Sequence, residues 1–305
     1  RSPARAEAGL AKSRLLLECR RKIDTTATDI LIGRCTSYGQ GTAYLPFLQM
    51  LRQLLHLEPS SGRAWTDDDV TARILRIDGG LEPMLSYYLR LLSIPTERHR
   101  LPTPERDDQA RFVLMHALAG IFVAASRTRP LILLLEDWHW VDAASQETLK
   151  RLAALVSSAR LLAVVTSRST QNLGWASLDR HCAIALRPLS PDSSSALLRS
   201  AFDVDDLPEA LVARGHERPG GNPFFLEEIA RSLTESGTVR VEGRSARLEG
   251  RLDTFHMPAT VQAVIRSRLD RLSLEVRQVL RAAAVVGRDF TLDVLVRVLA
   301  NPERV

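Results

Sequence analysis

The sequence predicts an α/β protein in which a parallel sheet is followed by a helical region. Unbroken apolar runs at 130–136 and 161–166 are typical of strands covered on both faces of a parallel sheet. Predicted helices separate these runs, which is the alternation expected of an α/β layered domain. Beyond Pro188 the apolar runs give way to helical patterns, so the chain is expected to contain more than one domain.

The elements follow from apolar periodicity and turn residues taken along the chain. The sheet region predicts a helix at 13–23 with Leu15, Leu16 and Cys19 on one face, a strand at 29–35, helices at 44–55, within 57–110 and at 110–126, a strand at 130–136, a helix at 143–157, and strands at 161–166 and 182–186. The later region predicts helices from Pro188 onward with Ser190 or Asp192 as a cap, a hairpin at 238–248, and helices at 259–272, 274–286 and 291–299.

Composition excludes several classes of protein. The chain is 45% hydrophobic and 25% charged, as globular proteins are, and its net charge of +5 is too evenly mixed to indicate nucleic-acid binding. Cys19, Cys35 and Cys182 are isolated, so neither a zinc cluster nor a disulfide framework is predicted, and a reducing, cytoplasmic location is expected. The longest apolar run, 112–125, is too short for a membrane span, and no signal peptide is visible.

Polar residues follow two of the predicted strands. Glu136 and Asp137 end one strand, and Thr166, Ser167 and Arg168 end the next. Ligands bind at the carboxyl ends of the strands in open α/β sheets. One carboxylate there can hold Mg²⁺ and its neighbour can orient an attacking water, although strands also end in polar residues simply because they reach the surface.

The stretch Ala6–Arg14, AEAGLAKSR, has the outline of the phosphate-binding pattern G-x-x-x-x-G-K-S/T. Lys12 can pair with phosphates, Ser13 can bind Mg²⁺, and backbone N–H groups at a helix start can hold phosphate oxygens. Lysine occurs only at three positions of this arginine-rich chain, which makes Lys12 informative. The candidate nucleotide-binding residues are Ala6, Gly9, Leu10, Ala11, Lys12, Ser13 and Arg14.

A turn and two aromatic residues open a helix in PGGNPFFLEEI, residues 219–229. This segment predicts either an ordinary turn with a hydrophobic contact or a cover over a bound base. Taken together and in order, the segments EAGLAKSRLLLE, RPLILLLEDWHWVD, LLAVVTSR and GGNPFFLEEI resemble the ATPase module of the signal-transduction ATPases with numerous domains. The most similar subgroup is the AAA-type module of bacterial adenylate/guanylate cyclase fusions and LuxR-type transcriptional regulators.

The resemblance implies a P-loop NTPase-type sheet at 1–187, a helical lid at 188–236 and a winged-helix domain at 237–305. It implies that Lys12 and Ser13 are the phosphate and Mg²⁺ residues. Glu136 and Asp137 match the acidic pair, with Glu136 and Ser13 at the metal, while Arg168 lies near the sensor position and Pro223 near the base. The implied cofactors are ATP or ADP and Mg²⁺.

Two departures separate this chain from the family pattern. Ala6 and Ala11 stand where the phosphate loop has glycines, and only RSPAR precedes the loop, where a central strand is expected. The first residue is arginine, so we expect a truncated chain whose sheet lacks its first strand. Weak or absent ATP hydrolysis follows from both departures.

Three functions remain open from the sequence. The first is an ATP-binding regulatory switch that works with other domains of a parent protein, with self-association left open. The second is a degenerate, nucleotide-free scaffold, which Ala6 and Ala11 favour. The third is a DNA-binding winged-helix protein, although arginines at helical spacing are more often a solvated face. We expect no membrane contact and no direct nucleic-acid binding by this region.

Overall fold

The computed structural model describes residues 10–37, 42–57, 65–99, 107–168, 181–217, 220–250, 261–270, 272–287 and 290–300. The chain divides into two compact units. The first spans 11–187, and the second begins at residue 188, with residue 10 assigned to it as well. Predicted residues Ala6 and Gly9 lie outside the described ranges.

The first unit is a small parallel sheet with helices. Its elements are α1 (Lys12–Lys22), β1 (Asp29–Arg34), α2 (Leu45–Leu54), α3 (Asp67–Ile77), a 3₁₀ helix (Gly79–Met84), α4 (Leu85–Leu91), α5 (Asp107–Thr128), β2 (Leu131–Glu136), α6 (Ala143–Leu155) and β3 (Leu161–Val165). The strand order is β1-β2-β3, and both pairs are parallel. This arrangement is consistent with a P-loop NTPase fold, and the three strand predictions at 29–35, 130–136 and 161–166 are confirmed.

The predicted strand at 182–186 is wrong. Residues 181–190 contain no strand, and the side chain of Ile184 is 77% exposed. A strand needs a neighbour's backbone to complete its hydrogen bonds, and no described strand pairs with this segment. Two of its five side chains are alanines, so burial would contribute little to hold it in place.

One edge of the sheet is covered by α2. The Gln53 side chain accepts a hydrogen bond from the Ile32 N–H at 2.9 Å and donates one to the Ile32 carbonyl at 2.7 Å. The Gln49 side chain accepts from the Arg34 N–H at 2.7 Å. Gly33 makes the close approach possible, because a Cβ there would meet the Pro46 carbonyl oxygen at 2.5 Å. These side-chain amides satisfy backbone groups of β1 that a further strand would otherwise pair with, so this edge of the sheet is protected.

The core of the first unit lies between the sheet and helices α2 to α6. Phe47, Phe122 and Trp138 are fully buried there, and the Phe47 and Trp138 rings meet edge to face at 6.5 Å. By length and composition, residues 109–128 of α5 could cross a membrane. The core helix of a soluble protein passes the same test, and the second half of α5 is largely buried in this core.

The face predicted for α1 is only partly buried. Leu16 is 6% exposed, whereas Leu15 is 45% exposed and Cys19 is also exposed. The prediction placed these three residues on one face of the helix, and of the three only Leu16 is buried. Helical spacing places side chains on one side of a helix, but burial also needs an element that covers that side.

The second unit is helical with one hairpin. Its elements are α7 (Pro191–Phe202), α8 (Glu209–Glu217), α9 (Pro223–Glu235), β4 (Val239–Glu242), β5 (Ser245–Leu248), α10 (Val261–Asp270), α11 (Leu274–Val286) and α12 (Leu292–Ala300). The predicted hairpin is confirmed, with Gly243 at φ 64° in its turn. Of the two predicted caps, Ser190 caps α7 by accepting from the Ser193 N–H at 3.2 Å.

Helices α7 to α9 and the hairpin share one core. Leu198, Leu226 and Leu233 are almost fully buried, and Val239 and Ala246 of the hairpin pack in the same cluster. Arg244 in the hairpin turn forms an ion pair with Asp205. The later helices differ, because the described residues of α11 and α12 include no buried side chain. The winged-helix arrangement expected for 237–305 stays a prediction.

Candidate functional site at the carboxyl edge of the sheet

The carboxyl ends of β1, β2 and β3 bring three short polar segments to one edge. Backbone hydrogen bonds join these segments into a continuous row: the Cys35 N–H donates to the Glu136 carbonyl at 3.0 Å, and the Trp138 N–H donates to the Thr166 carbonyl at 2.8 Å. In parallel sheets this edge is where ligands bind. The predicted residues Glu136, Asp137 and Arg168 all lie along it.

Asp137 turns the chain immediately after β2. Its backbone lies in the left-handed region, at φ 56° and ψ 40°, which aspartate tolerates better than most residues. The Asp137 N–H donates to the Thr166 hydroxyl oxygen at 3.2 Å. The residue that follows β3 therefore holds this turn in place and fixes the position of the Asp137 backbone.

Lys12 lies within electrostatic range of both Arg168 and Asp137 at this edge. Burial lowers the pKa of Lys12, and the nearby Arg168 guanidinium lowers it further, while Asp137 opposes both effects. Burial also lowers the pKa of His139; Arg168 and Lys12 act in the same direction, and Asp137 opposes them. The structure thus brings together Lys12, Asp137 and Arg168, which are far apart in sequence. Their two positive charges and one negative charge leave a net positive charge that suits an anionic ligand.

Glu136 has a different partner. Its carboxylate accepts a hydrogen bond from the Arg34 guanidinium, with Nε and Oε2 3.1 Å apart, and only 14% of its side chain is exposed. The two neighbouring carboxylates therefore have different partners. Glu136 forms an ion pair with Arg34 of β1, whereas Asp137 interacts electrostatically with Lys12. This division was not predictable from their adjacency.

The start of α1 carries most of the predicted phosphate-loop residues that the structure describes. Ala11 is the N-cap residue at φ 55° and ψ 28°, and it provides no side-chain hydrogen bond to the helix. Leu10 is buried, and Ser13 is exposed. Arg14 pairs with Glu18 at 3.0 Å and is 68% exposed, so its guanidinium is engaged along the helix. The first-turn N–H groups form the positive end of the helix dipole.

Three side chains at this edge are buried without a hydrogen-bond partner among the described residues. They are the Thr36 hydroxyl, both ring nitrogens of His139, and the Ser167 hydroxyl, which follow β1, β2 and β3 respectively. Buried polar atoms are normally satisfied by protein, water or ligand. The sequence analysis named Ser167 among the polar strand-end residues, but it did not assign Thr36 or His139 to the site, although each lies within three positions of a strand end.

A buried thiol lies beside the same row. Burial raises the pKa of Cys35 to about 12, and the carboxylates of Asp142 and Asp137 add to the effect. Asp142 caps α6 by accepting from the Ser145 N–H at 2.9 Å, and it also accepts from the Tyr44 N–H at 3.3 Å. Cys35 is therefore protonated at neutral pH and serves as a packed side chain, not as a nucleophile.

Pro223 belongs to the second unit, where it is the first residue of α9. Asn222 caps that helix by accepting from the Phe224 N–H at 3.2 Å. The Phe224 and Phe225 rings lie 5.5 Å apart at an interplanar angle of 75°. Gly221 is required before the cap, since its φ is 78° and a Cβ would meet the Leu189 carbonyl oxygen at 2.2 Å.

Comparison with known proteins adds three findings. A sequence model described as an AAA ATPase domain matches residues 6–165, and one described as a domain of unknown function (DUF8739) matches residues 190–247. A protein of Rhizobium meliloti (strain 1021), described as uncharacterized, is 29% identical over 293 residues. That match covers 95% of this chain and 27% of the relative, so the chain spans about a quarter of the relative's length.

Proposed function

The chain belongs to the AAA ATPase domain family, and from this premise we propose that it is an ATP-binding regulatory switch module of a larger bacterial signalling or transcription-regulatory protein. AAA ATPase domains generally bind ATP or ADP with Mg²⁺. The observation that carries the proposal is that Lys12, at the start of α1, lies within electrostatic range of Arg168 and Asp137 at the carboxyl edge of the sheet.

The residues at this edge fit a nucleotide. Lys12 and the first-turn N–H groups of α1 would hold phosphate oxygens, together with the backbone of the loop from Ala6 to Arg14. Bound Mg²⁺ would neutralise phosphate charge. Ser13 and Glu136 would hold the ion, with Glu136 divided between Mg²⁺ and Arg34. Asp137 would orient a water, and Arg168 would contact the phosphate chain. The role of Pro223 near the base stays a prediction from the family resemblance.

A switch needs two states with different affinities for the nucleotide. We assign the nucleotide domain to 1–187, the helical lid to 188–236 and a winged-helix domain to 237–305. The match covers 27% of the Rhizobium meliloti relative, which is therefore a longer protein, and we propose that this module likewise works with a separate output domain. Hydrolysis is expected to be slow, because Ala11 occupies a left-handed position where the family loop has glycine.

A second candidate, a nucleotide-free scaffold, is favoured by two observations. Ala11 adds a methyl group where phosphate would approach, and Arg34 already neutralises Glu136. The DNA-binding alternative has less support. Arg268 is paired with Glu228, and exposed side chains on α11 and α12 include the apolar Leu274 and Leu292.

Nucleotide affinity tests the proposal. ATP and ADP binding would be measured by calorimetry on the full chain with and without Mg²⁺, for the wild type, Lys12→Ala and Lys150→Ala. Lys150 is the matched control, because it pairs with Glu147 on the exposed side of α6. We expect the wild type to bind and Lys12→Ala to lose at least about tenfold in affinity, as for a charged hydrogen bond. Lys150→Ala should bind as the wild type does.

Two outcomes would overturn the proposal. A wild-type chain that binds neither ATP nor ADP would favour the scaffold function. Equal affinities of the wild type and Lys12→Ala would show that nucleotide binds elsewhere. Turnover measured on the same samples checks the expectation of slow hydrolysis.

A further inference from the structure

We infer that His139 contacts the terminal phosphate of the bound nucleotide and makes the site prefer ATP over ADP. The inference rests on the proposed function and adds a residue to that site. His139 lies in the 3₁₀ turn Trp138–Trp140 that follows β2 and Asp137. Both of its ring nitrogens are buried, and neither has a hydrogen-bond partner among the described residues.

An unsatisfied buried imidazole is costly for the protein alone. Each buried polar group without a partner destabilises the fold, because it has lost its hydrogen bonds to water. The Ser167 hydroxyl, after the neighbouring strand β3, is in the same condition. The two segments are tied together, since the Trp138 N–H donates to the Thr166 carbonyl at 2.8 Å. Unsatisfied groups that follow two neighbouring strands fit a ligand shared by both.

The charges around His139 define the ligand. Arg168, Lys12 and Asp137 all act on its titration, which places the imidazole in the field of two cations and one carboxylate. The positive excess selects an anionic group. Burial and the two cations keep the pKa of His139 below its ordinary value, so the ring is neutral at pH 7 and offers one donor and one acceptor.

Two groups of possible phosphate donors lie at this edge of the sheet. Lys12 and the first turn of α1 already form one anion-binding group. Arg168, His139 and Ser167 form a second group of donors, which comes from the ends of β2 and β3. The terminal phosphate is the part of ATP that ADP lacks, and it carries the additional negative charge that this second group would serve. Loss of the His139 donor should therefore weaken ATP more than ADP.

The test is a comparison of ATP and ADP affinities, measured by calorimetry with Mg²⁺ on the full chain. We expect His139→Ala to bind ATP about tenfold more weakly than the wild type, which corresponds to one hydrogen bond to a charged group. Its ADP affinity should stay within about twofold, as expected if only the terminal-phosphate contact is lost. His139→Gln keeps an N–H donor and should recover part of the ATP affinity. His181→Ala is the matched control, because His181 is exposed.

A second measurement uses only the wild-type chain, so it does not depend on whether a variant folds. In wild-type chain with ¹³C-labelled histidines, the His139 ring resonance should shift with ATP and much less with ADP, while the His181 resonance stays in place. The failures are distinguishable: a wild type that binds no nucleotide overturns the proposed function and this inference together. Nucleotide binding in which His139→Ala loses nothing, or loses ATP and ADP equally, overturns the inference alone.

Discussion

The carboxyl edge of the sheet and the core of α7 to α9 differ in whether their buried polar side chains have hydrogen-bond partners. In the second region Asn222 is 2% exposed and caps α9, and no buried side-chain nitrogen or oxygen described there lacks a partner. At the edge, the buried polar side-chain atoms of Thr36, His139 and Ser167 have no hydrogen-bond partner among the described residues. The first pattern is what folding alone requires, whereas the second is typical of a site prepared for a ligand.

The largest expected difference between the two regions is in stability. Leu198 in α7 is 0% exposed, so Leu198→Ala should lower the free energy of unfolding by about 2–5 kcal/mol. His139→Ala removes an unsatisfied polar group and should cost much less or stabilise the chain without nucleotide. Denaturant unfolding with hydrogen exchange of the α7 and β2 peptides measures both. Leu274→Ala, at a position that is 64% exposed, is the control. Equal losses in the free energy of unfolding for Leu198→Ala and His139→Ala would contradict the proposed difference between the two regions.

Nucleotide should stabilise only one of the two regions directly. ATP at 100 times its dissociation constant adds about 2.7 kcal/mol to a state that binds it. Protection from hydrogen exchange should therefore rise in peptides around Lys12 and Asp137 when ATP and Mg²⁺ are added. The same concentration given to Lys12→Ala should produce much less protection. A uniform rise in both variants would indicate binding away from the edge.

The Arg34–Glu136 pair should have an intermediate effect. Since only 14% of the Glu136 side chain is exposed, Arg34→Gln leaves a largely buried carboxylate and should cost about 1–2 kcal/mol, between the values for exposed and buried pairs. Arg98→Gln is the control, because Arg98 and Asp68 are 76% and 78% exposed and their pair should contribute little. Thermal unfolding of both variants checks this order. Similar losses would mean that the Glu136 pair is no more important than a surface pair.

The smallest effect is expected at Ala11. Its φ of 55° is unfavourable for a residue with a Cβ, so Ala11→Gly should stabilise the first unit by about 0.5–1 kcal/mol. Ala154→Gly, on the exposed side of α6, should destabilise by a similar amount because glycine is a poor helix former. Denaturant unfolding compares the two signs. A loss of stability in Ala11→Gly would contradict the backbone argument.

Sequence reasoning predicted the elements of the sheet better than their partners. The apolar segments at 29–35, 130–136 and 161–166 form strands as predicted, and β2 is the most buried of the three, whereas Leu162 of β3 is 55% exposed. The rule that parallel strands end at one edge led to Asp137 and Arg168. It did not predict that Glu136 turns to Arg34, since that pair joins residues 102 positions apart and depends on the register of β1 against β2.

By itself, the sequence determined where most strands and helices form, where the polar strand ends lie, and which lysine lies at the start of the first helix, because these features depend on residues close together in the chain. Tertiary structure alone decided that 182–186 is not a strand, that Leu15 of α1 stays exposed, and that the ring nitrogens of His139 are buried within electrostatic range of Lys12 and Arg168. The physical reason is that burial, pairing and electrostatic fields depend on which distant segments meet, and a local pattern does not encode that meeting.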